Sequence, residues 1–318
     1  MSESLSPAET FYWMKLAHLV RYAGARSCET IYRKLQQRDW SLGEVFALSE
    51  PEFAECFPHF GRGHYARLQY GNFHQQISED DELELRRVLR HLREEVQIVP
   101  LPHPDYPTIL RRQLGRDAPP ILYAEGQIPL LHARSIGVIG SRSADRHLLG
   151  LTREMVTALS VTGYNIISGY ARGVDGAAHR AALLADGTTT LVLPRGIQTY
   201  LMKPELRVHG WQRNHLTVSQ FHPLAVPHNR CWQQRNRTLV GLSEAIVVMD
   251  ANGNDRGGGT ASAARFALGR RVPVFVLSPD RFRYRAYGNM DLIAAGGIEF
   301  SGEAELLSGI EAALRVAI

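Results

Sequence analysis

Arginine recurs beside glycine, serine or asparagine in three short segments, two directly after predicted strands and the third near the start of a predicted helix. The segments are Gly140-Ser141-Arg142, residues 168–179 (SGYARGVDGAAH) and residues 235–237 (RNR). The planar guanidinium forks onto phosphate oxygens, and glycine lets the backbone turn tightly and approach a ligand. These residue types therefore predict a site that binds phosphate groups.

A glycine-rich segment, Asp255-Arg-Gly-Gly-Gly-Thr260, opens a further predicted helix. Backbone N–H groups at such a helix start can hold an anion, although a glycine run is also typical of a flexible loop. The first strand lacks a G-x-G-x-x-G fingerprint, and no G-x-x-x-x-G-K-[ST] loop occurs in the chain. A bound dinucleotide or nucleoside triphosphate is therefore not supported, no cofactor is predicted, and the phosphates are expected to be those of a nucleic-acid strand.

Aromatic residues near these segments offer a second kind of contact. Trp232, Tyr200 and Tyr170 would suit stacking on the bases of a single strand, but packing in the core is an equally ordinary role for aromatic side chains. The predicted DNA-binding residues are Gly140, Ser141, Arg142, Ser168, Gly169, Arg172, Gly173, Arg235, Asn236, Arg237, Gly258, Gly259 and Thr260.

Asp175 and His179 are four residues apart and share one face of a predicted helix. An Asp/His pair suits acid–base chemistry, but no nucleophile lies at a recognisable spacing. Structural bracing of the preceding loop is therefore the favoured interpretation, and no catalytic residue is predicted. Cys28, Cys56 and Cys231 have no metal-ligand spacing, so no metal site is predicted.

Composition is ordinary for a globular chain, with 44% hydrophobic and 21% charged residues among 318. No apolar run approaches the roughly 18 residues that span a bilayer, and the first ten residues do not resemble a signal peptide. A cytoplasmic location without membrane contact is predicted. The net charge is +4, with arginines concentrated after residue 229, which favours a polyanionic partner.

The sequence predicts an α/β architecture that positions these residues. Strand and helix patterns alternate from residue 135 onward, which indicates an extended Rossmann-like fold with a mostly parallel sheet. The predicted division is a small helical N-terminal domain (1–99), an extended connector that packs on the core (100–134) and a Rossmann-like DNA-binding domain (135–318). Apolar residues from Leu85 to Val96 predict one amphipathic helix that Pro100 stops.

The order and spacing of these motifs resemble the DprA/Smf family of DNA-processing proteins. The resemblance begins at Asp105-Tyr-Pro107 and residues 119–126, continues through the three arginine segments and residues 260–276, and ends near residues 288–296. It implies single-stranded DNA binding without catalysis, a homodimer, and help in loading a RecA-type recombinase during DNA uptake or recombination. Arg142, Arg172, Arg235 and Arg237 are then expected to line the DNA-binding pocket.

The chain departs from the family pattern at Pro194-Arg-Gly196, at Ser219-Gln220 and in residues 252–259, and it ends at Ile318 without room for a winged-helix tail. Two alternatives therefore stay open. One is a regulator or antitoxin component of a phage-defence system, with a genetically linked toxin as partner. The other is a nucleotide phosphoribohydrolase-like enzyme, against which stands the absence of a glutamate shortly after Thr260.

Overall fold

The computed structural model describes residues 5–251 and 258–316. Its amino-terminal part is helical, as predicted, and two helix starts are fixed by local chemistry. In the capping boxes Ser41/Glu44 and Ser49/Glu52, each glutamate accepts hydrogen bonds from the serine backbone N–H and hydroxyl. The helices are α1 Pro7–His18, α2 Ala25–Arg38, α3 Leu42–Ala47, α4 Glu50–Cys56, α5 Tyr70–His74 and α6 Glu79–Arg90.

Strands and helices alternate in the remainder. The elements are β1 Val96–Pro100, α7 Thr108–Leu114, β2 Ile121–Gly126, β3 Ser135–Ile139, α8 Arg146–Val161, β4 Asn165–Gly169, α9 Val174–Leu184, β5 Thr189–Val192, α10 Trp211–Asn214, β6 His215–Ser219, α11 Asn229–Gly241, β7 Ala245–Val248, α12 Gly259–Gly269, β8 Val274–Leu277, α13 Tyr287–Ala294, β9 Ile298–Phe300 and α14 Glu303–Val316.

Within the described residues, these strands form one sheet in the order β1-β2-β6-β5-β4-β3-β7-β8-β9. β1 and β2 are antiparallel to their neighbours, and the pairings from β6 through β9 are parallel. Every residue of β3 to β8 is buried, as expected for a parallel sheet covered on both faces. The predicted Rossmann-like fold with a mostly parallel sheet is therefore confirmed.

The two faces of the sheet carry separate cores because successive strand residues point to opposite sides. In β7, Ile246 and Val248 pack with α7, α11, α12 and the amino-terminal helices. Val247 packs on the other face with α8, α9 and α14. The carboxyl ends of the parallel strands are thereby held in one row.

One local prediction was wrong. The amphipathic helix expected to reach Val96 ends at Arg90, and Val96 begins β1, where its side chain is buried against the sheet. Between β5 and β6, the chain forms a 3₁₀ turn at Pro204–Leu206 and the short α10. The division into three domains stays a prediction, although residues 100–134 contain α7 and the sheet strand β2.

Candidate nucleic-acid interface

The strand order reverses at β3, which has β4 on one side and β7 on the other. In open α/β sheets, ligands bind outside the carboxyl ends of the strands at such a switch point. A cavity of about 610 Å³ lies there, between the turns that follow β3, β4 and β7 and the first turns of α11 and α12. It is lined by Ile139, Gly140, Ser141, Arg142, Ser143, Ala171, Asp175, Asn229, Trp232, Gln233, Arg235, Asn236, Ala251, Gly258, Gly259, Thr260, Ser262 and Ala263.

The turn after β3 forms one wall of this cavity. A Cβ atom on Gly140 would lie 2.5 Å from the Val174 side chain, so only glycine lets α9 approach so closely. The Ser141 hydroxyl is buried and accepts a hydrogen bond from the Ser143 N–H at 3.2 Å. Arg142 is exposed, and its guanidinium lies 4.7 Å from the centre of the Trp232 ring, a cation–π distance.

Arg235 is the most unusual cation of the site, because its side chain is only 6% exposed although it lines the cavity. Its Nη1 lies 3.8 Å from Asp175 Oδ2, and its buried Nε has no hydrogen-bond partner among the described residues. Burial lowers the pKa of this guanidinium while Asp175 opposes the shift, and arginine remains protonated in proteins. A buried positive charge, with Asp175 as its ion-pair partner among the described residues, therefore lines the cavity.

Asp175 and His179 both contact the turn after β4. Asp175 Oδ2 accepts from the Ala171 N–H at 3.3 Å, and burial raises the pKa of its carboxyl although Arg235 acts in the opposite direction. The ring of His179 joins the Gly169 carbonyl and the Thr189 hydroxyl, at 2.7 Å each. Because a carbonyl only accepts, Nε2 carries the proton, and the Thr189 hydroxyl in turn donates to the Ile166 carbonyl at 2.8 Å. Burial lowers the pKa of His179 to about 4, so the ring is neutral.

The start of α12 closes the cavity on the β7 side. Thr260 Oγ1 donates to the Gly140 carbonyl at 3.1 Å, and Asn236 Nδ2 donates to the Gly259 carbonyl at 3.1 Å. The N-cap residue of this helix is Gly258, which has no side chain to cap the first N–H groups, and N–H groups at a helix start can hold an anion. Part of the predicted glycine-rich segment, residues 252–257, lies outside the described residues.

All thirteen predicted DNA-binding residues lie in the described part of the chain, and the structure brings eight of them to the cavity: Gly140, Ser141, Arg142, Arg235, Asn236, Gly258, Gly259 and Thr260. The remaining five, Ser168, Gly169, Arg172, Gly173 and Arg237, are not part of its lining.

Those five residues divide into supports and exposed cations. The Ser168 hydroxyl is buried and donates to the Val138 carbonyl at 2.6 Å, and Gly173 has a φ of +76°, which favours glycine. Arg172 is exposed, and Arg237 lies 5.5 Å from the centre of the Phe266 ring. A DNA-binding role for these residues stays a prediction.

Of the aromatic residues considered for stacking, Trp232 lies in the cavity between Arg142 and Arg235. Tyr200 is buried in an apolar cluster, and Tyr170 packs against it. Sequence reasoning missed Lys203, whose ammonium donates to the Tyr170 and Ala171 carbonyls at 3.2 and 3.0 Å. It comes from a long irregular segment with no motif, so the sequence offers no signal for it.

Within the part of the chain that the structure describes, no helix is long and apolar enough to cross a membrane. No group of three or more His, Cys, Asp or Glu residues within residues 5–251 and 258–316 could hold a metal ion.

A mostly parallel sheet with a cavity at its switch point defines a Rossmann-like protein. The model of the family described as DNA recombination-mediator protein A matches residues 97–311. The chain is 30% identical over 215 residues to the DNA processing protein DprA of Bacillus subtilis, a match that covers 67% of this chain and 71% of that protein. It therefore belongs to the DprA/Smf family, as its motifs predicted.

Other relatives agree with this assignment. The chain is 32% identical over 200 residues to the Smf protein of Escherichia coli, where the match spans about half of that protein, 52%, and 61% of this chain. The crystal structure of DprA from Streptococcus pneumoniae has the same fold, with a TM-score of 0.71 at 22% identity, 96% of this chain and 98% of that chain being covered. A structure of DprA from Helicobacter pylori, described for its single-stranded DNA binding mode, matches with a TM-score of 0.56 at 23% identity. The match covers 70% of this chain and 96% of that chain.

Proposed function

We propose that this protein is a non-catalytic DNA-processing protein that binds single-stranded DNA, with backbone phosphates held in the cavity at the β3/β7 switch point. The observation that carries the proposal is Arg235, a buried guanidinium in the cavity lining whose ion-pair partner among the described residues, Asp175, lies 3.8 Å away. A buried cation is unfavourable unless its donors are used, and a phosphate oxygen is the acceptor that best matches a guanidinium.

Single-stranded rather than duplex DNA is favoured by the stacking surface in the cavity. Trp232 is half-buried, and Arg142 lies against its ring, so an unpaired base can stack beside a phosphate contact. Unpaired bases have free faces, and stacking on aromatic side chains tolerates any sequence. The Helicobacter pylori relative is described as binding single-stranded DNA, which supports the same ligand here.

Replacement of Arg142 tests the proposal. Arg142→Ala is expected to weaken binding of oligonucleotides of every sequence and to lower the slope of log Kd against log salt by about 0.7, the value for one phosphate contact on a single strand. Fluorescence anisotropy over a salt series measures both. The matched control is Arg153→Ala, an exposed position on α8 outside the cavity lining, which should change neither beyond the small effect of net charge.

Failure of the wild-type protein to bind any single-stranded oligonucleotide at low salt would contradict the proposal, as would equal effects of the two variants. Release of free base from a nucleoside monophosphate would contradict its non-catalytic part.

The proposal extends to recombinase loading by a homodimer in the cytoplasm. The family description, recombination-mediator protein, supports recombinase loading. The resemblance to DprA/Smf proteins supports the homodimer. Light scattering after size exclusion, with and without oligonucleotide, measures the oligomeric state. Formation of RecA filaments on DNA coated with single-strand-binding protein measures loading.

A further inference from the structure

Residues 281–287, here named the arginine strap, have the sequence RFRYRAY. Arginine alternates with phenylalanine and tyrosine, so a short segment combines phosphate ligands with stacking surfaces. The strap follows β8, whose carboxyl end lies in the same row as those of β3 and β7. No residue of the strap lines the cavity, so the function proposed above does not account for it.

The aromatic residues at the centre of the strap anchor it to the protein. Phe282 packs against the core formed by α8, α14 and the sheet, and its ring contacts Tyr284 edge to face at 5.2 Å between centres. The Tyr284 hydroxyl donates to Asp250 Oδ2 at 3.1 Å. Ala286 is buried as well. The backbone is thereby fixed, and its position does not depend on the arginines.

These anchors place the strap beside the cavity. Asp250 immediately precedes Ala251, a cavity residue. On the other side, the His147 ring contacts the Arg281 carbonyl at 3.0 Å, and His147 lies in the first turn of α8, directly after the turn that carries Arg142. The strap is therefore joined to both walls of the cavity, the turn after β3 and the turn after β7.

The arginine side chains of the strap reach solvent to different degrees. Arg283 and Arg285 are exposed and Arg281 is half-buried. Among the described residues, Arg281 and Arg283 have no ion pair and their side chains donate no hydrogen bond. Three acidic residues lie near the strap among the described residues: Asp280 adjoins it in sequence, and Asp250 and Asp145 act on Tyr284. Burial and these two carboxylates raise the pKa of the Tyr284 hydroxyl.

Tyr287 completes the surface at the far end of the strap. Its side chain is 58% exposed, and Arg285 Nη1 donates to its hydroxyl at 3.2 Å. The bond orients the ring and the guanidinium together, so a base and the adjoining phosphate can be contacted at the same time.

We propose that the arginine strap is a second contact surface for the same DNA strand, which leaves the cavity and continues across residues 281–287. The inference rests on the proposed function, since it requires the cavity to hold single-stranded DNA. It adds a length requirement: a strand that fills only the cavity cannot reach the strap, whereas a longer strand contacts both.

The test compares two oligonucleotides with one strap variant and one control. A thymidine oligomer of about 6 nucleotides fills the cavity, and one of about 20 nucleotides extends beyond it, given site sizes of about 4–16 nucleotides for single-strand binding folds. The strap variant is Arg281→Gln/Arg283→Gln. The control is Arg62→Gln/Arg90→Gln, which removes the same charge from two exposed positions in the amino-terminal part of the chain.

The strap variant is expected to bind the longer oligomer about tenfold more weakly than the wild type does, and to lower its salt slope by about 1.4, the value for two phosphate contacts on a single strand. Its affinity for the shorter oligomer should equal that of the control. The glutamines keep the backbone anchors intact, and an unchanged thermal midpoint establishes that the variant is folded.

The two proposals fail in different ways. A wild-type protein that binds neither oligomer removes the function and the inference together. A wild-type protein that binds both, with a strap variant that behaves like the control, overturns the inference alone. Equal weakening of the short and long oligomers also overturns it, because the strap would then act on the cavity and not on a continuing strand.

Discussion

The arginines of the motifs look alike in sequence but differ in position. Arg235 is buried against Asp175 in the cavity lining, Arg142 lies exposed against Trp232, and Arg172 and Arg237 are exposed outside the cavity lining. Burial makes Arg235 the residue whose charge most needs a ligand, because a desolvated cation with one partner at 3.8 Å is poorly compensated. An exposed arginine, by contrast, is hydrated when no DNA is bound.

His179 gives a testable pH dependence at the scale of one residue. Burial lowers its pKa from 6.5 to about 4 in the folded state, so folding favours the neutral ring. Its stabilising contribution is therefore fully present above about pH 6.5 and is lost as the pH falls toward 4, a total of about 3 kcal/mol. His179→Gln has no titrating group here and should lose this dependence.

Urea unfolding of both proteins at about pH 8 and about pH 5 measures the effect. The variant should be clearly less stable than the wild type at the higher pH, because two buried hydrogen bonds are disturbed. The difference in free energy of unfolding should shrink by about 2 kcal/mol at the lower pH. A difference that stays constant between the two pH values would show that the ring does not become protonated on unfolding.

At the scale of elements, the end of β4 and the helix α11 meet at Gly169. A Cβ atom there would overlap Arg235 Nη1 and lie 2.5 Å from Asp175 Oδ2. Glycine is needed because the buried guanidinium occupies the space above the strand. The Arg235 side chain thus occupies the space between β4 and α11.

Gly169→Ala is therefore expected to displace Arg235, to lower stability by about 1–3 kcal/mol, the usual result of overpacking, and to weaken oligonucleotide binding at least tenfold. Gly150→Ala on α8 is the matched control, since its Cβ would meet no atom closer than 4.0 Å, and it should leave binding unchanged. Circular dichroism melts and anisotropy measure the two effects. Full binding by Gly169→Ala would show that Arg235 does not need its present position.

The sequence was sufficient for elements whose apolar pattern is decided by burial in the sheet. The alternation of strands and helices predicted from residue 135 onward is present in the structure, as in the strands at 135–139 and 215–219 and the helix at 146–161. Val96 was misplaced because an apolar residue fits a helix face and a strand equally, and only the pairing with Glu125 decides between them.

The site was predictable where a motif directly follows a strand, as at Gly140-Ser141-Arg142. It was less predictable on α11, because adjacent helix positions point about 100° apart. Arg235 and Asn236 reach the cavity, whereas Arg237 lies outside its lining and contacts Phe266. Lys203 was missed because its role depends on a loop that returns to the Tyr170 turn through tertiary contacts alone.

At the scale of the whole molecule, the helical amino-terminal part and the sheet share a core. One continuous apolar cluster contains Trp13 and Leu42 from the amino-terminal helices, Leu110 from α7, and Val240 and Val248 from α11 and β7. Side chains that pack in one cluster stabilise one another, so the predicted boundary near residue 99 need not be a boundary between folding units.

We therefore expect the two parts to unfold together, and the natural cysteines report on each. Cys28 is buried in α2 and Cys231 in α11 beside the cavity. Pulsed thiol labelling over a urea series should give one midpoint for both.

Leu42→Ala, which empties a fully buried position in α3, should lower stability by about 2–5 kcal/mol and move both midpoints equally. Leu83→Ala, at a position 52% exposed on α6, should move neither, because exposed substitutions change stability by about 0.5 kcal/mol or less. If Leu42→Ala moved the midpoint of Cys28 alone, the helical part would fold as a separate domain, and the shared cluster would be a docking contact between two independently stable units.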